Sequence, residues 1–320
     1  MKPHDSMIMQ ENILVTGAGG QIGTELIERL QKEYGADHIF PSDLRQIDNV
    51  QNAFILDVTN REALEQACVK NQITQIYHMA AILSAKGEEN PLWAWNINMS
   101  SLFNVLETAV KQKIRRVFYP SSIAVFGLHT PHDLAPQNVV LVPETIYGIT
   151  KAAGENLANY YFKKYELDIR SVRYPGIIGY KSMPGGGTTD YAVDIYHKAV
   201  LGEDFDCFLA SNTMLPMMYM DDALDATIRL MQADSSRLTL RTSYNIAGIS
   251  FTPAEVYHEI QKHYPDFKIT YSPDFRQAIA ASWPGVIDDS AARQDWDWSP
   301  QFDLGKMTST MIEGLIQKYK

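Results

Sequence analysis

Residues 12–35, NILVTGAGGQIGTELIERLQKEYG, decide the fold. NILVT is a short β-branched apolar run, GAGGQIG is a glycine turn, and TELIERLQKEYG has helical periodicity. Strand, glycine turn and helix in that order are what a dinucleotide-binding βαβ unit requires. Gly17 permits the tight turn, and Gly20 lets backbone approach a pyrophosphate at the helix N-terminus, with Gln21 and Ile22 opening that helix. Gly23 allows close packing of helix on strand. The spacing is Gly-x-x-Gly-x-x-Gly rather than the commoner Gly-x-Gly-x-x-Gly.

Working outward, HIFPSDLR supplies a second strand ending in Asp43, 20 residues beyond Gly23. A carboxylate there accepts from both ribose hydroxyls and repels a 2′-phosphate, which favours NAD over NADP. Leu44 and Arg45 follow it, and an arginine at that place also suits a phosphate, so the choice stays open here. AFILDVTN gives a third strand with Asp57 and Val58 at an adenine edge, and REALEQACVKN an amphipathic helix. QIYHMAAILSA reads as strand then small-residue loop, with His78, Ala80 and Ala81 beside a cofactor. Strand and helix alternate up to residue 120, which predicts an α/β protein built on a doubly wound parallel sheet.

Residues 143–161, PETIYGITKAAGENLANYY, place Tyr147 and Lys151 one helical turn apart. Such a pair holds an ammonium beside a phenol and favours the phenolate. The same spacing recurs at Tyr160/Lys164 and Tyr264/Lys268. Tyr160 lies nine residues after Lys151, on the other side of a helix turning about 100° per residue. Ser122 lies 25 residues before Tyr147 at the end of RRVFYPSSIAVFG, where its hydroxyl, with that of Ser121, can hydrogen-bond a substrate oxygen.

The chain is 320 residues long with 28 basic and 38 acidic residues, a formal net charge of −10. No run of like charges suits nucleic acid or an anionic membrane. No apolar run reaches the ~20 residues of a membrane span, and no export signal is visible, so a cytoplasmic location is expected. The two cysteines, Cys68 and Cys207, are far apart and fit a reducing compartment. His129, His132 and Asp133 lie in a proline-broken segment, and no metal site is expected because zinc needs three or four converging ligands.

The glycine turn, Asp43, Asn98 in NINMSSLFNVLE, SSIAVFG and YGITK together resemble the extended branch of the short-chain dehydrogenase/reductase family. The resemblance implies a Rossmann domain and makes Ser122, Tyr147 and Lys151 the catalytic set, with Lys151 also reaching the nicotinamide ribose. Asn98, Tyr174, Pro175 and Ile177 join the cofactor-binding positions with the residues named above. RYPGIIGYKSMPGGGTTDYAVDIYHKA, LPMMYMDDALDAT, SYNIAGISFTPAEV and RQAIAASWPGVIDDSAARQDWDWSP resemble the metal-independent L-threonine 3-dehydrogenases of that branch. This implies NAD-dependent oxidation of L-threonine at C3 to 2-amino-3-oxobutanoate, in threonine catabolism. It also implies a homodimer, in which helices at about 95–112 and 148–164 form a four-helix bundle with their mates.

Commoner relatives in the branch act on nucleotide-diphosphate sugars, the alternative reading. From Ser182 to Ile228 the chain has one Lys or Arg, Lys198, against eight acidic residues, Asp190, Asp194, Glu203, Asp204, Asp206, Asp221, Asp222 and Asp225. Binding a substrate diphosphate calls for Arg or Lys in this lobe. A small zwitterion fits better, its carboxylate on Gly187, Thr188 and Thr189 at a helix start. Ser84 and Trp283 are expected to help enclose it, with Ser121, Ser122 and Tyr147 at the reacting end. The expected division is a NAD-binding domain of residues 1–175 plus about 216–247, and a smaller C-terminal substrate-binding lobe of about 176–215 plus 248–320. Asp221 and Asp222 are expected to cap the helix they precede.

Overall fold

The computed structural model describes residues 11–183, 185 and 187–320; the expected domain's first ten residues and positions 184 and 186 of the glycine-rich segment lie outside the described residues. In chain order the first strands are β1 (Ile13–Thr16), β2 (Ile39–Asp43), β3 (Phe54–Ile55), β4 (Gln75–His78), β5 (Arg116–Phe118), β6 (Ser121–Ser122) and β7 (Asp168–Arg170). They are followed by β8 (Val172–Tyr174), β9 (Gly176–Ile178), β10 (Phe205–Cys207), β11 (Leu215–Tyr219), β12 (Tyr244–Asn245), β13 (Ile249–Phe251) and β14 (Ile269–Tyr271). The helices are α1 (Gln21–Tyr34), α2 (Arg61–Lys70), α3 (Ser84–Glu89), α4 (Pro91–Gln112), α5 (Ile146–Tyr165) and α6 (Tyr191–Leu201). The remainder are α7 (Met220–Gln232), α8 (Pro253–Gln261), α9 (Arg276–Ala281), α10 (Ser290–Trp296) and α11 (Leu304–Tyr319).

Among the described residues, six strands form one sheet in the order β3-β2-β1-β4-β5-β7. Every pair in it is parallel. The chain steps outward from β1 to β3 and then returns to place β4 on the other side of β1, which opens a crevice at the carboxyl ends of those two strands. The doubly wound parallel sheet expected from the sequence is therefore present. One face is covered by α1 and α7, whose Leu26, Leu30, Leu224 and Met231 are buried with Ile13 and Val15. On the other face Leu64 of α2 and Val105 and Leu106 of α4 pack with Leu14 and Ile76. Burying each such side chain fully stabilises the fold by roughly 1.5–3 kcal/mol.

A separate core joins α6, α8 and α11 through Tyr191, Tyr196, Val256, Ile260, Met307 and Met311. Small sheets bridge the two regions. β6, β8 and β12 pair in parallel, with Ser121 in register with Arg173 and Ser122 with Tyr174. β9, β11 and β13 form another. No described helix is long and apolar enough to cross a membrane.

The segment after β4 departs from expectation. The sequence predicts a small-residue loop here, but Ser84–Glu89 forms the short helix α3, and α4 begins at Pro91 rather than near residue 95. Asn90 accepts from Trp93 N and Pro91 occupies the first turn, so a cap and an N-terminal proline fix that start.

Candidate active site

The turn between β1 and α1 forms one wall of a cleft. Gly17 has φ +66°, and a Cβ there would lie 2.5 Å from Ala80 N, so only glycine lets the turn sit against the chain leaving β4. Gly20 is the N-cap of α1 and provides no side-chain cap, nor does an acidic residue occupy the first turn. The leading amides are thus available to an anion. At the end of β2, Asp43 accepts from Gly19 N at 3.0 Å and from Arg45 N at 3.4 Å. A carboxylate fixed beside a glycine turn and an uncapped helix start suits a ribose next to a pyrophosphate, so these residues fit a dinucleotide.

α5 supplies the opposite side. Thr145 caps it, accepting from Gly148 N at 3.1 Å, and this sets the helical phase. A Cβ on Gly148 would lie 2.0 Å from Ala124 O, so the helix start can close onto the loop after β6 only as glycine. That phase turns Tyr147 and Lys151 to the cleft, while Tyr160 and Lys164 pair at 2.8 Å on the exposed surface. Tyr264 and Lys268 lie between α8 and β14, outside any helix.

Tyr147 and Ser122 both line the cleft, and the Ser122 hydroxyl accepts from Ala124 N at 3.2 Å. Lys151, buried, donates from Nζ to the Pro120 carbonyl at 2.6 Å and lies 4.7 Å from the Tyr119 ring centroid and 5.5 Å from that of Tyr147. Burial pushes the Tyr147 phenol up to about 12, opposed by the nearby Ser122 side chain. Burial brings the Lys151 amine down to about 7, opposed by Glu155. The sequence led us to expect a lowered phenol pKa; in the protein alone both groups are driven toward neutrality, because the dry cleft penalises either charge.

The cleft encloses about 240 Å³. Of the expected cofactor positions, Gly17, Gly20, Gln21, Ile22, Gly23 and Ala81 line it, with Tyr174, Pro175 and Ile177. Of the expected substrate positions, Ser84, Ser121, Gly187, Thr188, Thr189 and Trp283 line it with Tyr147. Thr188 is buried and its Oγ1 has no hydrogen-bond partner. Trp283 is 4% exposed and belongs to the core as well as the wall.

Other positions stand apart from this wall. Leu44 and Arg45 are exposed beyond Asp43. Asp57 is exposed and accepts from Thr59 N at 2.9 Å, next to buried Val58. His78 is buried between Thr16 Oγ1 at 2.8 Å and Ser101 Oγ at 3.3 Å, and burial holds its pKa down to about 3. Asn98 braces the chain after β4, accepting from Ile82 N at 2.7 Å and donating to Ile82 O at 3.1 Å and Thr150 Oγ1 at 3.2 Å.

Sequence reasoning missed Asp190, whose carboxylate lines the cleft and accepts from Gly187 N at 2.7 Å. In the sequence it is visible only as part of an acidic bias. Part of that bias is structural: Asp222 accepts from Gln301 N at 2.8 Å and Phe302 N at 3.1 Å, while Asp225 and Glu203 pair with Arg229 and Lys198. The expected capping role of Asp222 is also replaced, since no side chain caps α7. Among the described residues, no group of three or more His, Cys, Asp and Glu is placed to hold a metal ion.

The model of the NAD dependent epimerase/dehydratase family matches residues 13–247. The chain belongs to that family. An uncharacterized epimerase/dehydratase of Staphylococcus haemolyticus is 48% identical over 96% of this chain and 98% of its own. Among solved structures of the family's fold, a GalE-like L-threonine dehydrogenase from Cupriavidus necator, in a holo form, is 50% identical with a TM-score of 0.94, covering 95% of this chain and 99% of that one. A monomeric L-threonine 3-dehydrogenase from a metagenome is 48% identical with a TM-score of 0.94, covering 96% and 100%.

Proposed function

We propose that this family member is an NAD-dependent L-threonine 3-dehydrogenase, an oxidoreductase. The observation that carries the reading is the charge of the cleft wall: among the described residues lining it, Lys151 is the one cation and Asp190 the one carboxylate. A nucleotide diphosphate would meet no Arg and no Lys other than the buried, hydrogen-bonded Lys151. A small zwitterion meets complementary groups, with Asp190 toward its ammonium and the Gly187–Thr189 turn with the Thr188 hydroxyl toward its carboxylate. The solved relatives named as threonine dehydrogenases support the same substrate.

The glycine turn, the α1 N-terminus and Asp43 would hold NAD, which when bound supplies the hydride acceptor and a cationic ring. Ser122 orients the C3 hydroxyl and stabilises negative charge on the Tyr147 oxygen. Tyr147 takes the hydroxyl proton, and a protonated Lys151 favours its phenolate form. Trp283 and Ser84 close the cleft against water. We further propose the division of the chain into a NAD-binding domain (1–175 and about 216–247) and a substrate-binding lobe, and a cytoplasmic role in threonine catabolism.

The homodimer is also a proposal. α4 and α5 leave Phe103, Ile149 and Tyr160 exposed, and a second copy would cover them in a four-helix bundle, whereas one relative is described as monomeric. Sedimentation giving the mass of a single chain would remove it.

The activity is tested by NADH formation. L-Threonine with NAD should give a signal that Tyr147→Phe lowers by at least about 10²-fold while NAD still binds. Absence of that signal together with turnover of a UDP-sugar would overturn the assignment.

A further inference from the structure

α5 carries a third ionisable side chain in line with Tyr147 and Lys151. Glu155 is one turn beyond Lys151 and 1% exposed. Its Oε1 accepts from Ser121 Oγ at 2.6 Å and Arg173 Nε at 2.9 Å, and its Oε2 from the Arg173 terminal nitrogen at 2.8 Å. Arg173, 4% exposed, also donates to Gln137 O at 3.1 Å and Asn245 Oδ1 at 3.0 Å. Gln137 is held in turn by Asn245 N at 2.8 Å and Ser243 O at 2.9 Å.

A buried ion pair of this kind adds little to stability, because desolvation offsets its attraction; neutral replacements are often tolerated. Its position suggests another task. Three elements that build the cleft floor meet there: α5 through Glu155, β6 through Ser121 and β8 through Arg173, the last two in register.

We propose that Glu155, clamped by Arg173, is a positioning residue for the catalytic floor: it places a buried carboxylate one helical turn from Lys151 as that amine's counter-charge, and its oxygen takes the Ser121 hydrogen, leaving Ser122 free to face Tyr147. The inference rests on the reading of Tyr147, Ser122 and Lys151 as the reacting set. The other groups facing Lys151 do not supply a counter-charge. Tyr147 and Tyr119 are held as neutral phenols, His78 on β4 is held neutral, and Arg173 on β8 carries the same sign as the ammonium. Burial alone drives the amine toward neutrality, and Glu155 acts in the opposite sense.

Glu155→Gln alone leaves Arg173 buried and unpaired, which endangers folding. The decisive variant is Glu155→Gln combined with Arg173→Met, which removes both charges. The full chain, with and without NAD, is labelled with ε-13C-lysine, the Lys151 resonance assigned by its loss in Lys151→Met, and its midpoint followed by NMR. The expected result is a fall of about one pH unit or more, a tenfold change in the ionisation ratio. The alkaline limb of threonine-dependent NADH formation should fall with it. Glu155→Asp keeps the charge at a slightly greater distance and should lower the midpoint by less. An unchanged midpoint overturns the proposal, as does an equal loss of activity at every pH with that midpoint fixed. If the double variant does not fold, an unchanged midpoint in Glu155→Asp overturns it instead. A wild-type protein inactive on threonine would defeat the proposed function, yet the NMR midpoint would still decide this inference.

Discussion

Lys151 directs its Nζ at the Pro120 carbonyl, 2.6 Å away, while the centroid of the Tyr147 ring lies at 5.5 Å. The ammonium is thus anchored to the strand side of the cleft and acts on the phenol through space. A carbonyl partner satisfies one of its three donors; Glu155 supplies the opposing charge.

The anchoring makes Lys151 a pH-dependent load on the fold. Its pKa falls from an ordinary value near 10.5 to about 7 in the folded chain, so between those values the unfolded state binds the extra proton. Stability therefore rises with pH across that window, by up to about 1.4 kcal/mol per unit. Denaturant titrations should show the Lys151→Met protein lacking this slope, and its advantage over the parent should shrink from pH 7 to pH 10. Parallel pH profiles for the two proteins would refute the buried, depressed amine.

The adjacent serines should separate into two phenotypes. Ser122 lines the cleft with Tyr147, whereas the Ser121 hydroxyl donates to the buried Glu155 at 2.6 Å. Ser122→Ala should lower kcat by about 10²-fold with little change in melting temperature. Ser121→Ala strands part of a buried ion pair and should destabilise by about 1–3 kcal/mol, with a smaller loss of kcat. Interchanged effects would mean that Ser121 is the hydroxyl at the reacting oxygen.

Much of this site is legible in the sequence because its parts are local. Gly17, Gly20 and Gly23 sit on one strand-turn-helix, and Tyr147 and Lys151 on one helix face, so spacing alone specifies their relation. Glu155 is equally visible as the next turn of that face, but its partner Arg173 depends on the register of β6 with β8, which no spacing rule fixes. Asp222 reaches Gln301 and Phe302 across 79 and 80 positions, and its apparent role as a cap came from reading only its neighbours. Asp190 was hidden by composition, since a count of acids does not distinguish the one that lines a cleft from those paired elsewhere. The start of α4 was readable: Asn90 followed by Pro91 is a cap and first-turn signature.

Asp190 offers the sharpest test of substrate class. Asp190→Asn retains an oxygen to accept from Gly187 N, now bonded at 2.7 Å, so the turn ahead of α6 should keep its form. What disappears is the negative charge in the cleft wall. A charge-assisted hydrogen bond to an ammonium contributes roughly 1.5–3 kcal/mol, which corresponds to a rise of about 10- to 100-fold in KM for L-threonine. kcat should change by much less, because the Tyr147 hydroxyl and Ser122 are untouched. The measurement is a steady-state KM and kcat comparison at saturating NAD, with thermal melting to confirm that the turn survives. An unaltered KM with normal melting would remove Asp190 from recognition of the ammonium group and leave the Gly187–Thr189 turn as the substrate anchor.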